Sequence, residues 1–306
     1  MTEHSDQGSF FRSQKFTDWP TVKEALIARE IDAVFILAPM AMQLRADGVP
    51  VKVVYLGHRD GTALMVGAQS DIHTFADLRG KTVAIPSRFA NQNILMHRMM
   101  KQWNMPFGSI ELRELPPPEH PSALRSGSVD GYIVGEPFAA QAEVDGYGRV
   151  LYHTKDIWKD FISCVLVVHE DLIGDNRAIV QELVDGIAKS GKWLDEDPEH
   201  RVDAAEVAGR VYYFQPPELL EFVLSRPPDR VRYTGLAPLK EDFDEIMDLA
   251  LEIGILRAPI AFEEYVDPGF ARSLDELDWG IDRLAPVPAG VGSPGTSPAE
   301  RTGVPD

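Results

Sequence analysis

The polar residues best placed to hold a small molecule lie in two short segments, Ser87-Arg-Phe-Ala-Asn91 and Gly135-Glu-Pro-Phe138. The first follows the apolar run Thr82-Val-Ala-Ile85 and precedes an amphipathic stretch, so it marks a strand giving way to a helix. Unpaired amide groups and the positive end of a helix dipole at such a point attract anionic oxygen. Ser87 is the first choice for that contact, with Phe89 and Asn91 beside it; the competing reading is that Ser87 only caps its own helix. Arg88 suits a two-point contact to a carboxylate, sulfonate or phosphate, or else a place on the surface. Glu136 ends an apolar run, where a lone carboxylate is costly to desolvate, so it must meet a cation, a donor-rich ligand or an arginine. A ligand meeting Glu136 would carry N–H groups and would not be a bare nitrate-like anion. Phe138 stands next to it, and Asp130 reads as a turn residue.

Further contacts come from the first quarter of the chain. In Ala38-Pro-Met-Ala41, Pro39 and Met40 join a strand to a helix and suit either an adaptable apolar wall or plain core packing. Trp19 precedes Pro20 at a helix start, where a flat ring covers a ligand or staples the helix. His58 follows a strand, beside Arg59-Asp-Gly-Thr62, as a ligand donor or a surface group.

Several chemistries lack their usual residues. Cys164, the single cysteine, sits in Cys-Val-Leu-Val-Val and reads as a buried strand residue, not a nucleophile. The eight histidines are scattered without His-x-x-x-His spacing, so no metal site is expected. Gly-x-Ser-x-Gly and a phosphate loop Gly-x-x-x-x-Gly-Lys-Ser/Thr are absent, since Gly186 to Lys192 is followed by Trp193, and the one Gly-x-Gly-x-x-Gly, Gly290 to Gly295, falls in the Pro- and Gly-rich tail and not between a strand and a helix, so no cofactor is expected. A formal net charge of -18 disfavours nucleic acid and anionic lipid. No run approaches the roughly 20 apolar residues of a membrane span. The first residues, Met-Thr-Glu-His-Ser-Asp-Gln, have neither the basic nor the apolar region of an export signal.

Apolar runs and helical patterns alternate over the first half, which predicts an α/β fold with a largely parallel sheet. Helices are expected over 21–29, 40–46, 87–103 and 138–144, and strands over 31–37, 51–56, 62–66, 81–86, 131–134 and 165–168. After residue 168 the pattern becomes helical, over 177–195, 202–213, 217–224 and 239–253. From 285 the tail is rich in Pro, Gly, Ser and Thr and is expected to be disordered.

Four ordered segments resemble the nitrate/sulfonate/taurine family of ABC-importer substrate-binding proteins: Phe16 to Leu26 with Ile31-Asp-Ala33; Asp77-Leu-Arg-Gly-Lys-Thr-Val-Ala-Ile-Pro86; Gly127 to Phe138; and Cys164 to Asp171 followed by Val180 to Trp193. The resemblance implies a two-lobed periplasmic-binding-protein-like (type II) α/β fold that captures a small polar or anionic solute by hinge closure. It also implies a monomer presented to ABC permease and ATPase subunits, periplasmic or outside the cell, although the missing export signal leaves a cytoplasmic place open. Lobe 1 would comprise 1–68 and 164–284 and lobe 2 would comprise 69–163, with crossings near 66–71 and 163–167. The family opens with a strand-helix unit, and only 15 residues precede Phe16, so that unit and an export signal are expected upstream, with a gap left inside the first sheet. Alternatives on the same fold are an enzyme of the thiamine-pyrimidine synthase type, whose cysteine-rich signature is absent, or a cytosolic ligand sensor.

Overall fold

The computed structural model describes residues 11–213 and 215–271. Helix α1 (Trp19–Ile27) begins where the Asp18 carboxylate accepts the Thr21 N–H at 2.8 Å and Pro20 occupies the first turn. Those bonds hold the Asp18 carboxyl below its ordinary range. Val22, Ala25 and Leu26 recur at helical spacing and are buried. There follow β1 (Ala33–Leu37), α2 (Ala38–Ala46), β2 (Val51–Asp60), β3 (Thr62–Gly67), β4 (Thr82–Ile85), α3 (Asn91–Gln102), β5 (Glu111–Glu114), α4 (His120–Arg125), β6 (Gly131–Gly135), α5 (Phe138–Val144), β7 (Gly148–His153) and α6 (Thr154–Ile157). The remainder is β8 (Ile162–His169), α7 (Glu170–Glu196), α8 (Pro198–Val207), a π-helical turn Ala208–Tyr213, α9 (Pro217–Ser225), β9 (Val231–Arg232), α10 (Lys240–Glu252) and α11 (Phe262–Tyr265). Helix α7 breaks at Asn176 (φ -150°, ψ 67°), whose Oδ1 accepts the Ile179 N–H at 3.3 Å and restarts the helix. That restart is why the helical pattern is legible only from 177.

The strands form two sheets, in the orders β1-β8-β2-β9 and β5-β4-β6-β3-β7. A largely parallel arrangement is not what forms. The four-stranded sheet is antiparallel throughout, and only the β4–β5 and β4–β6 pairs of the second are parallel. The physical reason is that β8 inserts antiparallel between β1 and β2 and β3 inserts antiparallel between β6 and β7, so only β4 lies directly beside strands that the helical crossovers β4–α3–β5 and β5–α4–β6 leave parallel to it. Among the described residues no gap opens inside the first sheet, because β8 lies between β1 and β2, and β1 is the edge, with Phe35 exposed.

The chain passes between the sheets at Gly61 and again over 154–161, not near 66–71 and 163–167. Strand β3 belongs wholly to the second sheet, and β8 is already paired with β2 from Ile162. The expected tail beyond 285 lies outside the described residues.

Helix α3 serves both cores. Ala90 and Ile94 pack into the cluster on the four-stranded sheet with Phe243 and Ile246, whereas Leu95, Met96, Met99 and Met100 pack under β4 and β6. Turning one helix toward two cores ties the sheets together.

Candidate functional site

Parallel strands β4 and β6 end side by side at Ile85 and Gly135, and the segments that follow lead to α3 and α5. The connection after β4 runs to one neighbour and the connection after β5 returns to the other, so the crevice beyond these strand ends is a topological switch point. Ser87, Asn91 and Glu136 lie there. The opposite side is the passage from β2 to β3, where Asp60 (φ 61°) and Gly61 (φ 66°) are successive left-handed residues. A Cβ on Gly61 would come within 2.9 Å of Val231 and 3.2 Å of the His58 ring, so this tight passage requires glycine. Gly61 donates its N–H to the Arg230 carbonyl at 2.8 Å and accepts the Glu136 N–H at 2.9 Å; Asp60 donates to the Phe161 carbonyl at 2.8 Å. Both crossings and the crevice are thus bonded into one junction.

Ser87 is buried, and its Oγ accepts the Phe89 N–H at 3.1 Å. It does not cap the helix: α3 begins at Asn91 with Ala90 as cap and no side-chain bond, because 87–90 form a separate turn closed by Ala90 N–H to the Ser87 carbonyl at 3.0 Å. Arg88 is exposed, its guanidinium 4.8 Å from the Phe89 ring centroid, and its N–H donates to Glu114 at 2.8 Å. A carboxylate of the protein itself therefore meets the amide expected to receive a ligand anion. Phe89 packs against the core of the four-stranded sheet.

Asn91 is 1% exposed; its amide nitrogen donates to the carbonyls of Ile162 and Ser163 at 2.6 and 3.3 Å, leaving Oδ1 buried without a partner. Its neighbour Gln92 donates to Thr62 Oγ1 at 3.2 Å and likewise leaves Oε1 unpaired. Asp60 Oδ1, His58 Nδ1 and Arg230 Nε are buried and unpaired as well. Unpaired buried polar atoms are rare in folded proteins, and each marks missing water, missing ligand or stored strain. Here five of the nine such side-chain atoms among the described residues surround one junction.

Burial also shapes the charges. It pushes Asp60 up to about 6, against the pull of Arg232 and Arg59, and pushes His58 down to about 4, so the imidazole is neutral at neutral pH. Glu136 meets the arginine that its burial demands. Arg230 Nη1 lies 2.8 Å from it, the Ala140 N–H donates to it at 2.8 Å, and Arg230 Nη2 holds Glu143 at 2.8 Å. Burial still raises the Glu136 carboxyl above its ordinary value.

The remaining expected contacts lie elsewhere. Trp19 packs on the first core with its Nε1 unpaired, Pro39 and Met40 are buried in α2, and Phe138 packs on the β3–β6 face, its carbonyl accepting the Tyr132 hydroxyl at 3.1 Å. None of the four lines a cavity flanking α3. One such cavity, of about 250 Å³, is bordered by Arg88, Asn93, His97 and Glu114; the other, of about 140 Å³, by Asn91, the 158–162 crossing and the start of α10. Asp130 does act in a turn, accepting the Thr82 N–H at 2.9 Å. Cys164 is on β8, its thiol pushed up to about 11 by burial, which suppresses thiolate chemistry. Asp60, Gln92 and Arg230 were not singled out by sequence reasoning. Asp60-Gly61 between two apolar runs was the available signal for the first; nothing around Arg230 announces a buried cation.

A sequence model described as the NMT1-like family matches residues 2–209. The nitrate import ATP-binding protein NrtC of Synechocystis sp. is 27% identical over 205 residues, covering 61% of this chain and 30% of that protein. The nitrate/nitrite binding protein NrtA of Nostoc sp. is 23% identical over 221 residues, covering 65% of this chain and 50% of that protein. The chain thus spans half or less of the length of these relatives. Among solved structures, the ligand binding component of an ABC-type import system from Staphylococcus aureus superposes with a TM-score of 0.75 at 26% identity, covering 84% of this chain and 85% of that one. The two-sheet α/β fold is therefore that of importer-associated binding proteins, and among the described residues no helix is long and apolar enough to cross a membrane. With more than half of its length matched, the chain belongs to the NMT1-like family.

Proposed function

We propose that the chain is the solute-binding component of an ABC importer, holding a small polar solute at the junction of two lobes. One lobe is built on the four-stranded sheet and the other on β3 to β7, with hinges at Gly61 and 154–161. The observation that carries the reading is the gathering of five unpaired buried polar atoms at the switch point. The names of the relatives support it, with the permease and ATPase of such an importer as the partners. Binding without turnover fits the local chemistry, since desolvation holds the His58 imidazole neutral and keeps the Cys164 thiol protonated.

The test is thermal denaturation of the full chain against nitrate, bicarbonate, taurine, alkanesulfonates, aminopyrimidines and small amines, with mass analysis of each solute afterwards. A solute that binds only the folded chain raises its melting temperature. Saturable stabilisation with the solute recovered unchanged is expected; chemical conversion of the solute, or no stabilisation by any member, contradicts the proposal.

A further inference from the structure

We propose that the cavity of about 140 Å³ at the meeting of α3, the 158–162 crossing and α10 binds a small organic ammonium. The inference rests on the solute-binding reading and names the class of solute. Asn91, Trp158, Asp160, Glu241, Asp242 and Glu245 border the space. The Asn91 amide nitrogen is committed to two backbone carbonyls, which fixes the direction of its side chain and leaves Oδ1 as the free group. An amide oxygen only accepts, so its partner must bring an N–H or O–H.

Charge points the same way. Asp242 is neutralised by Arg59 at 2.6 Å, Glu245 by Arg98 at 2.6 Å, and Asp160 by Arg232. Glu241, on the first turn of α10, makes no ion pair among the described residues, so one carboxylate at the mouth stays unpaired. Lys159, also beside the cavity, is 93% exposed and lies 4.0 Å from Asp160, a carboxylate already held by Arg232, so it leaves Glu241 unpaired. An ammonium supplies donors to Asn91 and charge to Glu241, whereas an oxyanion supplies only acceptors and meets charge of its own sign. Trp158 and Phe161, ring centroids 5.7 Å apart, form an apolar wall for a short alkyl part. At roughly 30 Å³ for each water in the liquid, the space suits a solute of a few heavy atoms.

The experiment is calorimetric titration and thermal denaturation of the full chain with methylammonium and ethanolammonium chloride, against sodium nitrate and sodium methanesulfonate at equal ionic strength. Saturable stabilisation by an ammonium is expected, lost in Asn91→Leu and weakened about fivefold in Glu241→Lys by reversal of the charge at the mouth. Asn91→Leu also removes two bonds to the crossing and can unfold the chain, so Glu241→Lys, at an exposed helix position, carries the test. Equal ammonium affinity in wild type and Glu241→Lys overturns the site. Stabilisation by nitrate or methanesulfonate alone overturns the ammonium assignment and leaves the solute-binding reading standing; no stabilisation by any of the four overturns the ammonium site, and the solute-binding reading falls with it only when the wider panel of solutes also gives none.

Discussion

Two contacts hold the sheets together, and they are built from opposite materials. Where α5 meets α9, Arg230 is 2% exposed and clamped by Glu136, itself 5% exposed, with Ala140, Leu219, Val223 and Val231 packed around them. Where α3 meets α10, the ion pairs Arg98–Glu245 and Lys101–Glu252 sit near solvent, and the smaller cavity opens beside them. A dry joint fixes geometry because neither charge can leave without a penalty, while a wet joint exchanges its pairs with water at little cost. The α5–α9 contact therefore acts as the fixed point, and the α3–α10 side is the one able to admit a solute.

The largest effect should come from breaking the dry joint. Arg230→Ala strands Glu136 in the interior and should cost about 3–5 kcal/mol in urea unfolding, much of it recovered by adding Glu136→Leu. A loss no greater than that of a surface arginine would erase the contrast between the joints. Ile94→Ala, on the α3 face buried in the opposite core, should cost about 2–4 kcal/mol and loosen the α3–α10 side first, readable as faster amide exchange in α3.

Asp60 sharpens the comparison through pH. Burial raises its folded value from 3.8 to about 6, so the folded chain retains a proton that the unfolded chain has released between those values. Its contribution is full below about pH 3.8 and is lost as pH rises through 6. His58, lowered from 6.5 to about 4, runs the other way: its contribution is full above pH 6.5 and is lost as pH falls toward 4. The two slopes oppose one another in wild type. Asp60→Asn should raise stability at pH 7 by about 2 kcal/mol and unmask a rise in stability from pH 4 to 6.5. An unchanged pH profile would place no titrating carboxyl at the junction. The smallest effect belongs to the wet joint: Arg98→Ala should cost under about 1 kcal/mol, vanishing in concentrated salt.

Much of this was legible in the sequence because strands such as Thr62–Gly67 and Gly131–Gly135 are buried on both faces and read as continuous apolar runs. The edge strand Glu111–Glu114 was not, since its residues are mostly charged and exposed, and the two-residue β9 is too short to carry a pattern. Ser87, Asn91 and Glu136 were found from strand ends, a local signal. The partners that define them were not, because Arg230 lies 94 residues from Glu136 and Ile162 lies 71 from Asn91, and burial pairs such residues without any periodic trace. Trp19, Pro39 and Met40 stayed ambiguous for a related reason: an apolar residue beside a strand end looks the same whether it faces a cleft or a core.

The central claim is that the sheet junction is where a solute is held. Hydrogen exchange of the full chain, with and without whichever panel solute raises the melting temperature most, tests it directly. Slowed exchange concentrated at residues 60–62, 91–94 and 158–163, with α8 and α9 unchanged, is the predicted result. Protection confined to another surface, or none there at saturating solute, would contradict it.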